Sequence, residues 1–461
     1  MIASALPRSP WERDDGSVDA ARALRELGDA LTITTVVDAN GDRWVPAAVR
    51  DVGAHDPTHY DAVWVRDAVW CHWALDAAGD RDAADSVLRK LCRYFASAAQ
   101  RERLRTLADN PSAAFGPDGA MHVPHIRFDG RSASMDDVQV DGRPQRWNHK
   151  QNDALALFFA AVMGALETGR WQWTAFSPEE RESLALFPRY WARVAFATME
   201  DSGAWEELER RNSSSIGLVT WALEEARRVL ARVAPSDVDV PSLEAAIASG
   251  YGALERQLPF ESPAYGKNDI RYREADAALL ALLYPARLEK LAPGTFDAVL
   301  ETVGTLVRPA GVLRYVGDAY QCAGYWANAE ETEHEVRTDD CSRPEDFVRR
   351  SAGRPPDSEA EWFFDSWLAL TWLRRFERTK SPSDRRRAEA HVARALRQRT
   401  GPNALGADGK LVPAGAFPES YNVVFRDGHR HYAPSPITPL NWAKASLALA
   451  LRALVRAADG V

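Results

Sequence analysis

The sequence predicts an all-α protein whose paired helices close into a ring, with a small N-terminal β-hairpin and long irregular loops at one end. Apolar residues recur at helical spacing in about a dozen segments, and few short segments alternate as strands do. Long polar loops separate the helices, and no Gly/Ser-rich or Pro-rich linker divides the 461 residues. We therefore expect one domain over residues 1–461, with residues 1–16 as a flexible or loosely packed N-terminal segment.

The helical pattern extends along most of the chain. Leu31–Val45 alternates apolar and polar residues around Asn40-Gly41-Asp42, which predicts a β-hairpin with a tight turn. Thr106–Arg146 is predicted to be irregular, and the charged loop Ala327–Ser358 is long enough to indicate a functional or mobile segment. Helices are predicted over Ser17–Leu31, Val63–Ala78, Asp82–Gln100, Asn152–Glu167, Pro178–Met199, Ile216–Val233, Pro241–Leu258, Glu274–Leu283, Pro293–Val307, Glu359–Arg378, Ser383–Arg399 and Pro436–Ala458.

Charge and composition argue against several classes of function. The 57 basic and 66 acidic residues leave a net charge of −9 without a basic stripe, so nucleic acid is not expected as a partner. The longest apolar run, Ala154–Leu166, is too short to span a bilayer, so no membrane contact is expected. The four cysteines are scattered and residues 1–15 lack a signal-peptide pattern, which together favour the cytoplasm. The oligomeric state stays open.

No metal or cofactor is expected. The pairs His122/His125 and His429/His431 have spacings found in metal sites, but neither has a third ligand at a suitable spacing. The sequence contains no Walker or dinucleotide-binding glycine motif. Its sixteen tryptophans suit a site in which indole faces stack on sugar rings. Large cores use tryptophan as well, so this count indicates a sugar ligand only together with further motifs.

One stretch near the middle of the chain has the features of a catalytic acid. Glu206 and Glu207 follow Trp205 on a glycine-containing turn, before a helix whose N-cap we expect among Ser213–Ser215. A carboxyl group beside an indole is partly desolvated, which raises its pKa towards the range of a general acid. An exposed acidic turn beside a core tryptophan would have the same sequence. Residues elsewhere in the chain must therefore decide between such a turn and a catalytic acid.

Five blocks along the chain combine aromatic residues with carboxylates or arginines. They are Tyr60 with Trp64-Val65-Arg66-Asp67; Trp147 with Gln151-Asn152-Asp153; Trp205-Glu206-Glu207; Arg314-Tyr315 with Asp318, followed by Glu361-Trp362; and Glu419-Ser420-Tyr421 with Leu440-Asn441-Trp442. In this order they resemble the motifs of glycoside hydrolase family 15, the glucoamylase-like enzymes. The resemblance extends over roughly residues 55–450. It implies an (α/α)6 barrel that forms a single catalytic domain.

The resemblance also implies a role for each block. Glu206 is the expected general acid, Glu419 the expected general base, and Tyr60 the residue that hydrogen-bonds the attacking water or Glu419. An inverting glycosidase holds its two carboxyl groups roughly 6.5–9.5 Å apart, so Glu206 and Glu419 are expected to face each other across one pocket. The residues expected to bind substrate are Trp64, Arg66, Asp67, Trp147, Gln151, Asp153, Trp205, Glu207, Arg314, Asp318, Trp362, Tyr421 and Trp442.

The expected function is inverting, exo-acting hydrolysis of short α-glucosides, with release of β-D-glucose from the non-reducing end. Oligosaccharides with α-1,6 or α-1,4 linkages and trehalose are all candidate substrates. We recognise no starch-binding module in the sequence, which favours short glucosides over raw starch. Two alternatives stay open: a non-catalytic carbohydrate-binding regulatory protein of the same fold, and an (α/α)6 sugar phosphorylase or epimerase. A binding protein needs no acid–base pair, and phosphate dependence would reveal a phosphorylase.

Overall fold

The structure is mostly helical. The computed structural model describes residues 5–48, 59–116, 118–318, 320, 343–351 and 358–459. The helices that build the fold are α1 (Ala20–Glu26), α2 (Val65–Ala77), α3 (Arg81–Phe95), α4 (Ala98–Asp109), α5 (Asn152–Glu167), α6 (Pro178–Arg193), α7 (Ser213–Glu225), α8 (Val240–Gln257), α9 (Leu280–Leu283), α10 (Thr295–Gly304), α11 (Pro344–Ser351), α12 (Asp365–Thr379), α13 (Pro382–Arg397) and α14 (Asn441–Asp459). Shorter helical turns cover Gly28–Leu31, Pro111–Phe115, Gly119–His122, Trp173–Ala175, Gly203–Trp205, Ala226–Leu230, Ala231–Val233, Pro235–Asp237 and Ala277–Leu279.

Six of these helices form a closed inner ring. Each packs against the next in the order α2, α5, α7, α9, α12 and α14, and α14 packs back on α2. An outer layer surrounds the ring: α3 packs on α2, α8 on α7, α10 on α9, α13 on α12 and α1 on α14, while α6 lies beside α4 and α8. Two concentric layers of helices are the (α/α)6 barrel that the sequence predicts.

The two layers differ in how much of each helix is buried. Almost every side chain of the inner helix α5 is buried, as expected for a helix that is apolar on all sides. The outer helix α3 buries the face that carries Val87, Leu88 and Leu91 and leaves a charged face in solvent. Inside the ring, Trp70 of α2 stacks on Trp367 of α12 with ring centroids 4.5 Å apart. Aromatic side chains therefore fill the centre of the barrel.

The inner helices all run in the same direction, which gives the barrel two different ends. Arg66, in the first turn of α2, bonds to Asp153, in the first turn of α5. At the other end, residues from the C-terminal parts of the ring helices, such as Gly164, Arg374 and Ala453, line a separate cavity. The N-terminal ends of the ring helices therefore meet at one end, where the loops between the helices carry the motif residues.

Short antiparallel strands lie mainly in the loops. They are β1 (Val36–Val37), β2 (Arg43–Trp44), β3 (Val63–Trp64), β4 (Arg127–Phe128), β5 (Gln139–Val140), β6 (Arg143–Pro144), β7 (Ala360–Trp362), β8 (Ser420–Arg426) and β9 (His429–Pro434). The predicted N-terminal hairpin is β1–β2, with Val36 opposite Trp44. The sheet β7-β8-β9 was not predicted, although Asp427 and Gly428 both have positive φ, as a two-residue hairpin turn requires.

Several predicted helix boundaries are wrong. The segment Asp82–Gln100 contains two helices, because the Ser97 side chain caps the start of α4, and α4 continues into the segment predicted to be irregular. The segment Glu359–Arg378 begins as strand β7, because Trp362 pairs with Ser420 of β8. The N-cap of α7 is Asn212 rather than a serine. Its side chain bonds to Asp201 and thereby fixes the preceding loop.

Within the N-terminal segment expected to be loosely packed, Trp11 and Glu12 contact the rest of the fold. Trp11 is 4% exposed and belongs to the main core, and its Nε1 donates to Glu26. Glu12 forms an ion pair with Arg397 of α13. In the predicted functional or mobile loop Ala327–Ser358, residues 343–351, which contain helix α11, and Ser358 are described, and the rest lies outside the described residues.

Candidate active site

A pocket of about 690 Å³, including its opening to solvent, lies at the N-terminal end of the ring helices. Five distant parts of the sequence contribute to its wall, one from each predicted block. The predicted residues that line it are Tyr60, Trp64, Arg66, Asp67, Trp147, Trp205, Glu206, Arg314, Trp362, Glu419 and Trp442. The fold therefore brings both predicted catalytic carboxyl groups into one pocket, together with aromatic and cationic side chains.

Glu206 lies on a short loop that backbone hydrogen bonds close at its base. Asp201 and Arg210 exchange two backbone hydrogen bonds of 2.9 Å, one in each direction. The 3-10 turn Gly203–Trp205 ends at Glu206, whose backbone is left-handed with φ 60° and ψ 35°. Gly203 also has φ 60°, and a Cβ there would lie 2.7 Å from the side chain of Asn212. This tight turn directs Glu206 into the pocket.

The carboxyl group of Glu206 is largely buried, with 15% of the side chain exposed. Burial raises the pKa of Glu206 to about 7, although the cations Arg66 and Arg127 favour the ionised form. Arg66 Nη1 lies 3.4 Å from Glu206 Oε1. The negative charge of Asp67 raises the pKa of Glu206 further. Such a group holds a proton near neutral pH and can release it to a substrate, as a general acid must.

Glu419 has a different environment, immediately before strand β8. Its backbone N–H donates to Ile437 at 3.1 Å, and its side chain is almost fully buried. Tyr60 Oη donates to Glu419 Oε1 at 2.7 Å, and Tyr60 Oη also lies 2.9 Å from Tyr320 Oη. Burial, then the charge of Glu419, raises the pKa of Tyr60 well above its usual value, so the phenol stays protonated and donates. Glu419 is therefore held as a hydrogen-bond acceptor.

Gln151 and Asp153 do not line the pocket but lie behind Arg66. Arg66 Nε donates to Asp153 at 2.7 Å, and Arg66 Nη2 donates to Gln151 at 2.7 Å. Both partners are buried. Burial raises the pKa of the neighbouring Asp67 to about 7, against the opposing effect of Arg66. The Arg66 guanidinium is thus fixed from behind and presents its remaining edge to Glu206 and the pocket.

Glu207 and Asp318 occupy the corresponding position behind Arg314. Arg314 donates to both oxygens of Asp318, at 2.7 and 2.6 Å, and to Glu207 at 3.0 Å. Tyr315 Oη lies 2.8 and 2.6 Å from the two Glu207 oxygens. Glu207 is 2% exposed and does not line the pocket. The structure therefore places Glu207 as a buried partner of Arg314 and Tyr315 rather than facing the pocket.

The tryptophans of the pocket form two groups. Trp64 and Trp147 meet edge to face with centroids 5.5 Å apart, and the Arg127 guanidinium lies 4.0 Å from the Trp147 ring centroid. On the other side, Trp205 and Trp362 lie 6.2 Å apart, and Trp362 Nε1 donates to Asp318 at 3.1 Å. These indoles give the pocket walls against which an apolar sugar face can pack.

Tyr421 does not line the pocket, because its side chain is buried and the residue pairs in register with Glu361 of β7 and Pro434 of β9. Sequence reasoning missed Tyr320, which lines the pocket and bonds to Tyr60. Its position two residues after Asp318 in the fourth block could have suggested it. Arg127 carries no motif and could not be found from the sequence.

The described residues contain no group of three or more His, Cys, Asp and Glu side chains arranged to hold a metal ion. His125 of the His122/His125 pair instead bonds to Asp137 at 2.7 Å and stacks on His149. Across the same part of the chain, no helix has the length and apolar character needed to cross a membrane.

A two-layered helical barrel with an acid-containing aromatic pocket at one end is an architecture of carbohydrate-active proteins. The sequence profile of "Glycosyl hydrolases family 15" matches residues 44–352, about two thirds of the chain. The chain therefore belongs to glycosyl hydrolase family 15, as its motifs indicate.

Solved structures agree with the barrel. A structure described as "Glycosidase Wild Type" is 16% identical, with a TM-score of 0.55 over 95% of this chain and 96% of that chain. The glucoamylase from Saccharomycopsis fibuligera is 14% identical, with a TM-score of 0.57 over 97% of each chain. At this level of identity the similarity supports the fold alone.

Among curated proteins, the chain is similar to "Uncharacterized lipoprotein YgeQ" of Escherichia coli (strain K12), with 42% identity over 147 residues. The match covers 32% of this chain and 56% of that protein. The chain spans about half the length of the curated relatives that it matches.

Proposed function

We propose that this protein is an inverting, exo-acting α-glucoside hydrolase that releases β-D-glucose from the non-reducing end of short α-glucosides. The observation that carries the proposal is the pair Glu206 and Glu419 in one pocket, in two different environments. Glu206 has a pKa of about 7, and Glu419 accepts a hydrogen bond from Tyr60. Two carboxyl groups, one protonated and one held as an acceptor, are what acid–base hydrolysis with inversion requires.

In this proposal Glu206 gives its proton to the glycosidic oxygen as the bond to the anomeric carbon breaks. Glu419 takes a proton from a water molecule, and the water oxygen bonds to the anomeric carbon from the opposite face. Tyr60 orients the Glu419 carboxylate, and it is in turn bonded to Tyr320. After product release, Glu206 regains a proton from solvent and Glu419 loses one. Only the glucoside and one water molecule are consumed, and both carboxyl groups return to their starting protonation states.

Substrate binding is proposed for the remaining pocket residues. Arg66 and Asp67 lie beside Glu206 and would bind vicinal hydroxyls of the terminal glucose, with the guanidinium donating and the carboxylate accepting. Oligosaccharides with α-1,6 or α-1,4 linkages and trehalose are the proposed substrates. We also propose a cytoplasmic location, which the buried free thiols of Cys71 and Cys92 support.

The test is turnover of a panel of α-linked glucose disaccharides and trehalose by the wild type and by the Glu206→Gln and Glu419→Gln variants. Wild-type turnover without phosphate, lost in both variants while the circular dichroism spectrum is unchanged, is the expected result. Full activity in either variant would contradict the proposed mechanism. Turnover that requires phosphate would instead support a phosphorylase, and sugar binding without turnover would support a binding protein.

A further inference from the structure

Trp205, the residue before the proposed acid, is held by a carboxylate outside the pocket. Trp205 Nε1 donates to Asp276 Oδ1 at 2.8 Å. Asp276 is 2% exposed and accepts two more hydrogen bonds, from the backbone N–H of Ala278 at 2.8 Å and from Arg273 Nη1 at 2.9 Å. It caps the turn Ala277–Leu279 that leads into ring helix α9. Asp276 is therefore fixed to the barrel and can serve as a rigid anchor for Trp205.

A second buried carboxyl group, Glu261, holds the other end of the same loop. Glu261 accepts from Ser214 N–H at 3.1 Å and from Ser214 Oγ at 2.5 Å, at the start of α7. The backbone carbonyl of Glu261 also accepts from Ser213 N–H at 2.8 Å. Burial, and then the nearby charge of Asp276, raises the pKa of Glu261 to about 8. Burial also raises the pKa of Asp276, while Arg273, the Ala278 N–H and Trp205 favour its ionised form.

The loop that carries Glu206 needs such anchors. A left-handed backbone is unfavourable at a residue other than glycine, and Glu206 adopts it with φ 60°. The backbone hydrogen bond from Glu206 to Gly203 is long, at 3.4 Å. A catalytic group must be held within about 0.5 Å of its working position. The loop's own hydrogen bond at Glu206 is too long to provide this.

We propose that Asp276 is a positioning residue for Glu206: by fixing the Trp205 indole it sets the orientation of the Glu206 carboxyl group. Glu261 supports this position by fixing the first turn of α7 on the far side of the loop. This inference rests on the proposed role of Glu206 as the acid. Asp276 does not line the pocket, and it acts on the reaction through Trp205.

The chain contains a second Trp–Asp–Arg contact that serves as a control, with an aspartate that is 36% exposed where Asp276 is 2% exposed. Asp85 accepts from Trp171 Nε1 at 2.8 Å and forms an ion pair with Arg170, as Asp276 does with Trp205 and Arg273. None of these three control residues lines the pocket. Asp85→Ala removes the same kind of contact from another part of the barrel. Its effect on stability therefore measures the loss of a Trp–Asp–Arg contact without any effect on the acid.

The experiment compares Asp276→Ala, Asp276→Asn, Trp205→Phe and Asp85→Ala on the best substrate of the wild type. We expect Asp276→Ala to lower kcat by about 10–100-fold with KM within about twofold, because the acid is displaced while the sugar contacts persist. Asp276→Asn should retain most of kcat, since its Oδ1 still accepts from the indole. Trp205→Phe should lose as much kcat as Asp276→Ala, and the double variant should be no worse. Asp85→Ala should keep the wild-type kcat.

An NMR signal makes the test independent of activity. The indole N–H resonance of Trp205, assigned from its loss in Trp205→Phe, should exchange with solvent faster in Asp276→Ala and not in Asp85→Ala. If Asp276→Ala failed to fold, a loss of kcat of about 10–100-fold in Trp205→Phe with KM within about twofold would carry the test. A wild-type kcat in Asp276→Ala or Trp205→Phe would overturn the inference. An inactive wild type would overturn the proposed function. In that case the exchange rate still tests the contact between Asp276 and Trp205, and an unchanged rate in Asp276→Ala would overturn it.

Discussion

The guanidinium of Arg66 lies 3.4 Å from the Glu206 carboxyl group, yet the pKa of Glu206 is raised to about 7. Burial is the largest influence on this pKa and outweighs the opposing charge of Arg66. Arg66 also donates its Nε and Nη2 hydrogens to Asp153 and Gln151. The arrangement keeps a proton on Glu206 in the pH range in which a general acid must release it.

The first prediction is a pH dependence of stability at Glu206. Its pKa is about 7 when folded and about 4.3 in an unfolded chain, so the folded state binds the proton more tightly. Stability from this group is present at low pH and is lost as pH rises to about 7, by at most about 1.4 kcal/mol per pH unit. Glu206→Gln should therefore match the wild-type Tm at pH 4.5 and exceed it by a few degrees at pH 8. Thermal unfolding at both pH values measures this.

The exposed residue Glu255 provides the control for that experiment. Glu255→Gln should leave the difference in Tm between pH 4.5 and pH 8 as in the wild type. If Glu206→Gln were no more stable than the wild type at pH 8, the raised pKa of Glu206 would be wrong.

The second prediction concerns the hydrogen bond between Tyr60 and Glu419. Tyr60→Phe removes the donor that lies 2.7 Å from the Glu419 carboxylate, which also has a longer contact from Ser435 Oγ at 3.4 Å. We expect kcat to fall by about 10–100-fold with little change in KM, since positioning of a general base contributes at this level. Steady-state kinetics on one disaccharide measures both constants.

The chain offers a matched pair for comparison. Tyr251 Oη donates to Glu224 Oε1 at 2.8 Å, away from the pocket. Tyr251→Phe should destabilise the fold by about 0.5–1.5 kcal/mol, the usual net value of one hydrogen bond, without lowering kcat. Equal kcat values for Tyr60→Phe and the wild type would remove Tyr60 from the mechanism.

The third prediction concerns Arg314. It binds both oxygens of Asp318 and one of Glu207, which lysine cannot do because it lacks the planar fork. Arg314→Lys should raise KM by about tenfold or more, because the side chain no longer reaches the pocket wall in a fixed orientation. Arg394 also donates to a buried aspartate, Asp365, but does not line the pocket. Arg394→Lys should lower Tm and leave KM unchanged, and a KM change of the same size there would contradict this assignment.

The fourth prediction concerns the turn before the acid. Gly203 has φ 60°, and an added Cβ would lie 2.7 Å from Asn212, whose side chain fixes the base of the loop. Gly203→Ala should therefore shift the loop and lower both kcat and Tm. Gly169 also has positive φ but has no atom within 4 Å of the added Cβ. Gly169→Ala should cost only the backbone strain, about 1–2 kcal/mol, and leave kcat unchanged. Equal kcat losses in the two variants would contradict the claim that the turn at Gly203 positions Glu206.

The sequence predicts the residues of the pocket better than it predicts the boundaries of the surrounding helices and strands. Helical periodicity gives the bounds of α5 as the structure has them, because an inner helix is apolar on all sides. The motif blocks predict most of the pocket wall, since each block lies at the start of a ring helix or in the loop before it. The hairpin β8–β9 was missed, although the dipeptide Asp427-Gly428 is a recognisable turn signal.

Other features depend on packing that the sequence does not encode locally. Whether Glu207 faces substrate or Arg314 is decided by Tyr315, more than a hundred residues away. Likewise, the anchor of Trp205 comes from Asp276 on another loop, in a segment without a motif. The sequence alone cannot show which of two adjacent carboxylates, such as Glu206 and Glu207, faces the pocket. The hydrogen-bond partners of each must be known first.

The most direct test of the account is the anomer of glucose that the wild type releases first. A proton NMR time course on the α-linked disaccharide that is turned over fastest, without phosphate, distinguishes the two anomers before they interconvert. The account predicts early accumulation of β-D-glucose, because water activated by Glu419 attacks opposite to the bond that Glu206 protonates. The leaving glucose keeps its own anomeric form, so the test concerns the residue whose anomeric carbon is attacked. Release of that residue as α-D-glucose would contradict the account, since retention requires a covalent intermediate on one carboxylate instead of an acid–base pair.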